Sequence, residues 1–202
     1  MLFRSGYIPK TLSGEEIWCQ GFSEPGAGSD LAALRTRAVL DGDFFVVTGQ
    51  KVWTSWARYA DWCMCLVRTD PDAPKHKGIS YFICPMDLPG IEIRPIVEMT
   101  GGTTFNEVFF TDVRLPAENL VGDLHDGWRL AKVTLGNERV SLSGEGALWG
   151  RGPTAKDVLD IVRDHGGCDD PVMRQRLASL YIEAEVLRLI RLRTISATVR
   201  GL

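Results

Sequence analysis

From Glu16 to Arg114, short runs rich in β-branched and aromatic residues alternate with Gly, Pro and Asp. That alternation is an all-β pattern. The expected strands are Ile17–Phe22, Thr36–Leu40, Phe44–Thr48, Trp62–Arg68, Ser80–Pro85, Ile91–Val97 and Phe105–Val113. Asp41-Gly42, between two of them, is a hairpin signal because Asp and Gly tolerate the positive φ of a tight turn. Seven short strands suit a small antiparallel barrel or sandwich.

The texture changes after Gly127. Trp128, Leu130, Ala131, Val133, Thr134 and Leu135 open a helix expected to run to about Trp149, with Gly144 and Gly146 weakening its far end. Arg151-Gly152-Pro153-Thr154 breaks the chain, and Thr154 is the N-cap expected for a short helix over Ala155–His165. Asp170-Pro171 then supplies a cap and a first-turn proline for a last helix, Val172–Val199. On that helix Leu177, Leu180, Tyr181, Ala184, Leu187 and Ile190 or Arg191 share a face. The fold class is therefore α+β, a β-barrel or sandwich followed by helices. Arg188, Arg191, Arg193 and Arg200 read as cations near a helix C-terminus whose stems cover apolar surface.

With 202 residues and 45% apolar content the chain can bury a core in one or two domains. Its net charge of -3 gives no general pull toward nucleic acid or anionic membrane. Met1–Lys10 has no apolar core of signal-peptide length, and no window approaches about eighteen uninterrupted apolar residues. A soluble cytoplasmic protein is expected, with neither nucleic acid nor membrane as partner. The five cysteines are odd in number and lack CxxC spacing, so no metal site and no disulfide framework is expected. Cys63 and Cys65, two apart in a strand, point to one face and read as inert core thiols.

Two segments carry chemistry. Phe22-Ser23-Glu24-Pro25-Gly26-Ala27-Gly28-Ser29-Asp30 packs one Pro, two Gly and two hydroxyls into a tight turn after a strand. Such a turn lets a ligand approach the backbone and turns N–H groups toward an anion or a carbonyl-rich ring. Gly49-Gln50-Lys51-Val52-Trp53-Thr54-Ser55 ends a strand with an indole able to cover a ring face and hydroxyls able to bond its edge. Glu24 and Asp30 are expected to brace the turn rather than to act as bases.

FSEPGAGSD and GQKVWTS resemble the two signature segments of the acyl-CoA dehydrogenase family. A third stretch agrees, from Thr104-Phe105-Asn106-Glu107-Val108-Phe109-Phe110-Thr111-Asp112-Val113-Arg114-Leu115-Pro116 through Asn119-Leu120-Val121-Gly122 to Gly127-Trp128. The resemblance runs from about Ile8 to Gly150. It implies that residues 1–15 are the tail of an absent N-terminal helical domain and 16–126 the β-domain that holds FAD and acyl-CoA. Residues 127–202 are then the first part of a C-terminal helical bundle, in a chain truncated at both ends.

The implied reaction is dehydrogenation of an acyl-CoA thioester, a carboxylate taking the α-proton while the β-hydrogen leaves as hydride to flavin N5. Ser55 matches the hydroxyl by N5 and Trp53 the aromatic on the ring face away from substrate, with Thr54 between them in the cofactor segment. Gln20, Phe22 and Ser23 match groups at the pyrimidine end, where fixed donors stabilise the reduced ring. Ser29 matches the junction of the flavin diphosphate with the CoA thread. Glu138 matches the base of one branch of the family, a role for which desolvation raises a carboxyl pKa toward the working pH. Arg139 matches an arginine near the pantetheine, and Arg68 and His76 are candidates for the CoA nucleotide.

The family's Arg-Phe-Gly segment, which reaches a neighbouring subunit's flavin diphosphate, has no counterpart at Gly150-Arg151-Gly152-Pro153-Thr154, where only Arg151 stands in. Implied partners are acyl-CoA, an electron-transfer flavoprotein, and further copies of this chain or a related subunit. Acyl-CoA oxidases and nitroalkane oxidases share the scaffold and form a second enzyme reading. A non-catalytic interaction module is a third.

Overall fold

The computed structural model describes residues 6–142 and 153–200, apart from the side chains of 139–142 and 198. The chain divides into two compact units, Met1–Lys132 and Val133–Leu202. The first opens with a short helix, α1 (Ile8–Ser13), closed by Gly14 in the left-handed region. Its preceding residue Tyr7 sets its ring edge-on against Trp18 and Trp62, 5.4 and 5.0 Å between centroids.

Seven strands follow: β1 (Trp18–Gly21), β2 (Arg37–Asp41), β3 (Phe44–Ser55), β4 (Trp62–Arg68), β5 (Ile79–Pro85), β6 (Ile91–Pro95) and β7 (Phe105–Pro116). They form one sheet in the order β1-β4-β2-β3-β7-β6, with β5 also on β4. β5 runs antiparallel to the whole of β4. A strand has two edges, so β1 and β2 share the other one. β1 lies parallel to Trp62–Cys65, and β2 meets Arg68, also in parallel. The sheet is therefore mixed, with antiparallel pairing from β2 through β3 and β7 to β6.

The turn between β2 and β3 differs by one residue from the sequence expectation. Asp41 pairs with Phe44, which leaves Gly42-Asp43 as the two-residue loop. The positive φ falls on Gly42 alone, at +61°.

β3 is much longer than the five residues expected, and the reason is two bulges. Val47 pairs with Val113 but Gly49 with Phe110, so β7 holds one extra residue near Asp112, whose φ is +49°. Lys51 pairs with Val108 but Thr54 with Asn106, so β3 holds one extra residue near Trp53. Each bulge switches which residues point inward. On β7 the buried set passes from Asn106, Val108 and Phe110 to Val113 and Leu115. On β3 it passes from Phe45, Val47 and Lys51 to Thr54. Gly49 lies between the two irregularities, where a Cβ would come within 2.6 Å of the Thr36 Cα, so β2 and β3 can approach only because none is present.

The core of this unit is one cluster. It includes Phe45, Val47, Val67, Phe82, Val108, Phe110, Val113 and Leu115, with Cys19, Cys63, Cys65 and Cys84. Phe45 and Phe82 meet edge to face at 4.9 Å. Thiol–thiol hydrogen bonding, and after it burial, push the Cys63 and Cys65 thiols well up, and burial does the same to Cys84. Thiols held that way are poor nucleophiles, in keeping with a packing role.

α2 (Gly127–Leu142) starts where the sequence indicated. In the second unit, Thr154 caps α3 (Ala155–Asp164) in a reciprocal capping box with Asp157. Asp170 Oδ1 accepts the Val172 N–H at 2.8 Å and so caps α4 (Pro171–Val199), one residue earlier than expected. Leu177 faces the α3–α4 cleft with Leu159 and Val162, while Leu180, Tyr181 and Leu187 are exposed. Arg188 pairs with Glu185 one turn back at 2.8 Å. Gly144, Gly146, Trp149 and Arg151, together with the Arg139 side chain, lie outside the described residues.

Candidate functional site

The two signature segments meet in the first unit. Beyond β1 the chain leaves the sheet at Phe22, whose buried ring stands edge-on to Tyr81 at 5.9 Å. The Ser23 carbonyl accepts the N–H of Val52 at 2.9 Å, tying the first segment to the second. Glu24 and Ala27 then exchange both backbone hydrogen bonds, at 2.9 and 3.0 Å, and close a hairpin around Pro25-Gly26. At Gly26 and Gly28 a Cβ would meet nothing within 4 Å, so the surface beside this loop is open.

Beneath the loop lies a buried ion pair. Lys51, fully buried, places Nζ 2.8 Å from Glu24 Oε1 and donates to the Phe22 carbonyl at 3.2 Å. Glu24 Oε2 accepts the Arg35 N–H at 2.6 Å, and Oε1 the Thr36 N–H at 2.9 Å. Burial is the largest single influence on the Glu24 carboxyl and acts to raise its pKa. Lys51 and the N–H donors together outweigh it and hold the group below the usual carboxylate value. Glu24 therefore braces the turn, as expected, with Lys51 as partner. Asp30 braces it at the rim, pairing with Lys75 at 2.8 Å.

The bulge in β3 sets the other wall. A plain strand would turn Trp53 inward after Lys51. The extra residue turns it outward instead, 59% exposed at φ +60° and edge-on to Phe105 at 5.9 Å. Ser55 is exposed on the same strand end. Trp56 follows, also exposed and at φ +62°, with its N–H on the Thr104 carbonyl. A bulky residue in this region costs about 1–3 kcal/mol, and two within four residues mark a surface shaped for more than packing.

Thr54 sits differently from its neighbours. Its side chain is 1% exposed, and its hydroxyl has no hydrogen-bond partner among the described residues. Thr54 as a whole is thus enclosed between the exposed Trp53 and Ser55. Its carbonyl accepts from the buried Asn106 amide at 3.0 Å.

The remaining candidates fall in several places. Gln20 is half-buried on β1, and Ser29 is exposed just before the single turn Leu31–Ala33. Arg68 is 9% exposed, and its guanidinium donates to the carbonyls of Ala32, Leu34, Lys75 and Lys77. It is a loop anchor, not a free phosphate ligand, and burial lowers its pKa. His76 is exposed, its ring 5.0 Å from that of Trp128. Glu138 is exposed on α2 within the second unit. Among the described residues no group of three or more His, Cys, Asp or Glu side chains could hold a metal ion.

Lys51 and Asn106 were not singled out from sequence. Lys51 had a readable signal, because it continues the inward parity of Phe45, Val47 and Gly49. Asn106 had none.

A planar, carbonyl-rich ring fits what this site offers. The groups present are an outward indole, hydroxyls at Ser23, Ser29 and Ser55, and a glycine loop open toward solvent. The family described as "Acyl-CoA dehydrogenase, middle domain" matches residues 19–113. The chain is 50% identical over 195 residues to "Acyl-CoA dehydrogenase FadE34" of Mycobacterium tuberculosis, covering 96% of this chain and 27% of that one. It is 45% identical over 189 residues to "Acyl-CoA dehydrogenase IpdE1" of the same organism, covering 93% and 49%. Among solved structures, "Tcur3481-Tcur3483 steroid ACAD" matches at TM-score 0.84 and 38% identity, over 98% of this chain and 51% of that one. The chain thus spans from about a quarter to half the length of these proteins.

Proposed function

Because the chain belongs to the acyl-CoA dehydrogenase family, we propose that it carries the flavin-holding part of an enzyme that dehydrogenates an acyl-CoA thioester between Cα and Cβ. The observation that carries this reading is the junction of its two segments. Ser23 is bonded to Val52, and the next residue, Trp53, is forced outward by a bulge.

FAD, when bound, supplies the acceptor for the hydride from Cβ. Gln20, Phe22 and Ser23 would hold its pyrimidine end through backbone and hydroxyl donors. The Trp53 indole would cover a ring face, Ser55 with Thr54 beside it would bond the ring edge, and Ser29 would meet the diphosphate. Glu138 takes the α-proton, an assignment supported by its place in Gly136-Asn137-Glu138-Arg139-Val140. Arg139, Ser29 and His76 contact CoA, the Trp128 ring beside His76 adding a flat surface for a nucleotide base.

An electron-transfer flavoprotein would take up the electrons that the flavin accepts. The similarity to a steroid enzyme named for two components supports a bulky, steroid-type acyl thioester and an assembly with a related subunit. The free, buried thiols suit a reducing, cytosolic setting.

The test is the visible spectrum of the chain after incubation with FAD and desalting, followed by anaerobic acyl-CoA titration. A retained flavin band with resolved structure is expected, and bleaching on titration identifies the thioester. A colourless chain, or a flavin that no acyl-CoA reduces in the assembled enzyme, overturns the reading.

A further inference from the structure

Lys51 occupies a position where the strand pattern calls for an apolar side chain. It follows Phe45 and Val47 on the inward face of β3 and is fully buried. A buried ion pair rarely stabilises a fold more than well-packed apolar residues of similar volume do, so stability alone does not account for it. Its partners suggest what does. Among the described residues, Nζ bonds only the other signature segment, at the Phe22 carbonyl and Glu24 Oε1. The same carboxylate holds the amides of Arg35 and Thr36, where the chain returns to the sheet. Thr36 Oγ1 in turn donates to the Gln50 carbonyl at 3.4 Å. One buried network thus spans the start and end of the 22–36 excursion and the strand residue immediately before the bulge.

We propose that Lys51 is a positioning residue: through Glu24 and the Phe22 carbonyl it locks the Ser23–Ala27 turn to the Val52–Ser55 bulge, so that groups reaching one ligand from two strands share a single frame. The ligand half of this inference rests on the flavin reading above. The locking half does not.

Two variants separate locking from the mere cost of a lone buried charge. K51M strands Glu24, whereas the double variant E24Q/K51M removes both charges and keeps the volume. Amide hydrogen exchange is measured on the chain without added cofactor. In both variants, exchange at Val52, Ala27, Arg35 and Thr36 is expected to rise at least about tenfold, while Met86 and Val121 stay as in the parent. K51R, which retains a donor, is expected to restore most of the protection. Wild-type exchange in the double variant, or a uniform rise across the sheet, overturns the proposal.

The second readout is FAD affinity and the reduction potential of the bound flavin. In the double variant the affinity is expected to fall about tenfold or more, with a shifted potential. Unchanged affinity and potential, despite local opening, also overturn the positioning role. If the parent chain takes up no flavin, the cofactor reading fails while the exchange pattern still decides the lock.

Discussion

Glu24 and Lys51 lie 2.8 Å apart in the core although 27 residues separate them, and each belongs to a different signature segment. Glu24→Gln therefore leaves a buried ammonium without its counter-charge, a loss of about 3–5 kcal/mol at neutral pH. Its carboxyl is held below the unfolded value of about 4.3, so its contribution is complete above that pH and is lost as acid carries it through the folded value. Urea unfolding of parent and variant from neutral to acid should show a constant gap that closes only below about pH 4. A gap that closes between neutral and pH 5 would assign the effect to another group.

Trp53 pays for its outward position with a left-handed backbone. Trp53→Gly removes that strain and should stabilise the cofactor-free chain by about 1 kcal/mol. The same change removes the indole and should weaken FAD binding. Opposite signs in thermal unfolding and flavin titration would mark the residue as functional. A loss in both would mark it as ordinary packing.

The Thr54 hydroxyl is buried without a partner among the described residues. Thr54→Val removes the desolvated oxygen at nearly constant volume and should raise stability by about 1 kcal/mol, with FAD affinity unchanged. A drop in affinity would show that the hydroxyl itself reaches the cofactor.

Glu138→Gln tests the base. In the assembled enzyme the rate of flavin bleaching by acyl-CoA should fall by a factor of about a hundred or more, while flavin and thioester binding persist. A nearly intact rate would move the base to another residue.

What could be read beforehand follows from how local each cause is. β4 was legible to the residue because Trp62–Val67 is a continuous apolar run, closed by Arg68 and flanked by Asp61 and the Asp70-Pro71 breaker. Thr154 was legible because its side chain caps only three residues ahead. The second half of β3 was not, since the bulge at Trp53 breaks the period-2 pattern and is fixed by a partner strand more than fifty residues away. In the site, the motifs marked the loop and the indole. Burial, which no motif shows, encloses Thr54 and commits Arg68 to four carbonyls.

That commitment reaches beyond the site. Two of the Arg68 carbonyl partners lie in the 31–34 turn and two in the 74–78 loop, and Asp30 and Lys75 join the same two segments at the rim. Neither segment is a free surface loop that can be lengthened or swapped alone. An engineer who wished to transplant the 70–78 connection from a relative would have to move residues 30–34 with it, as one cassette.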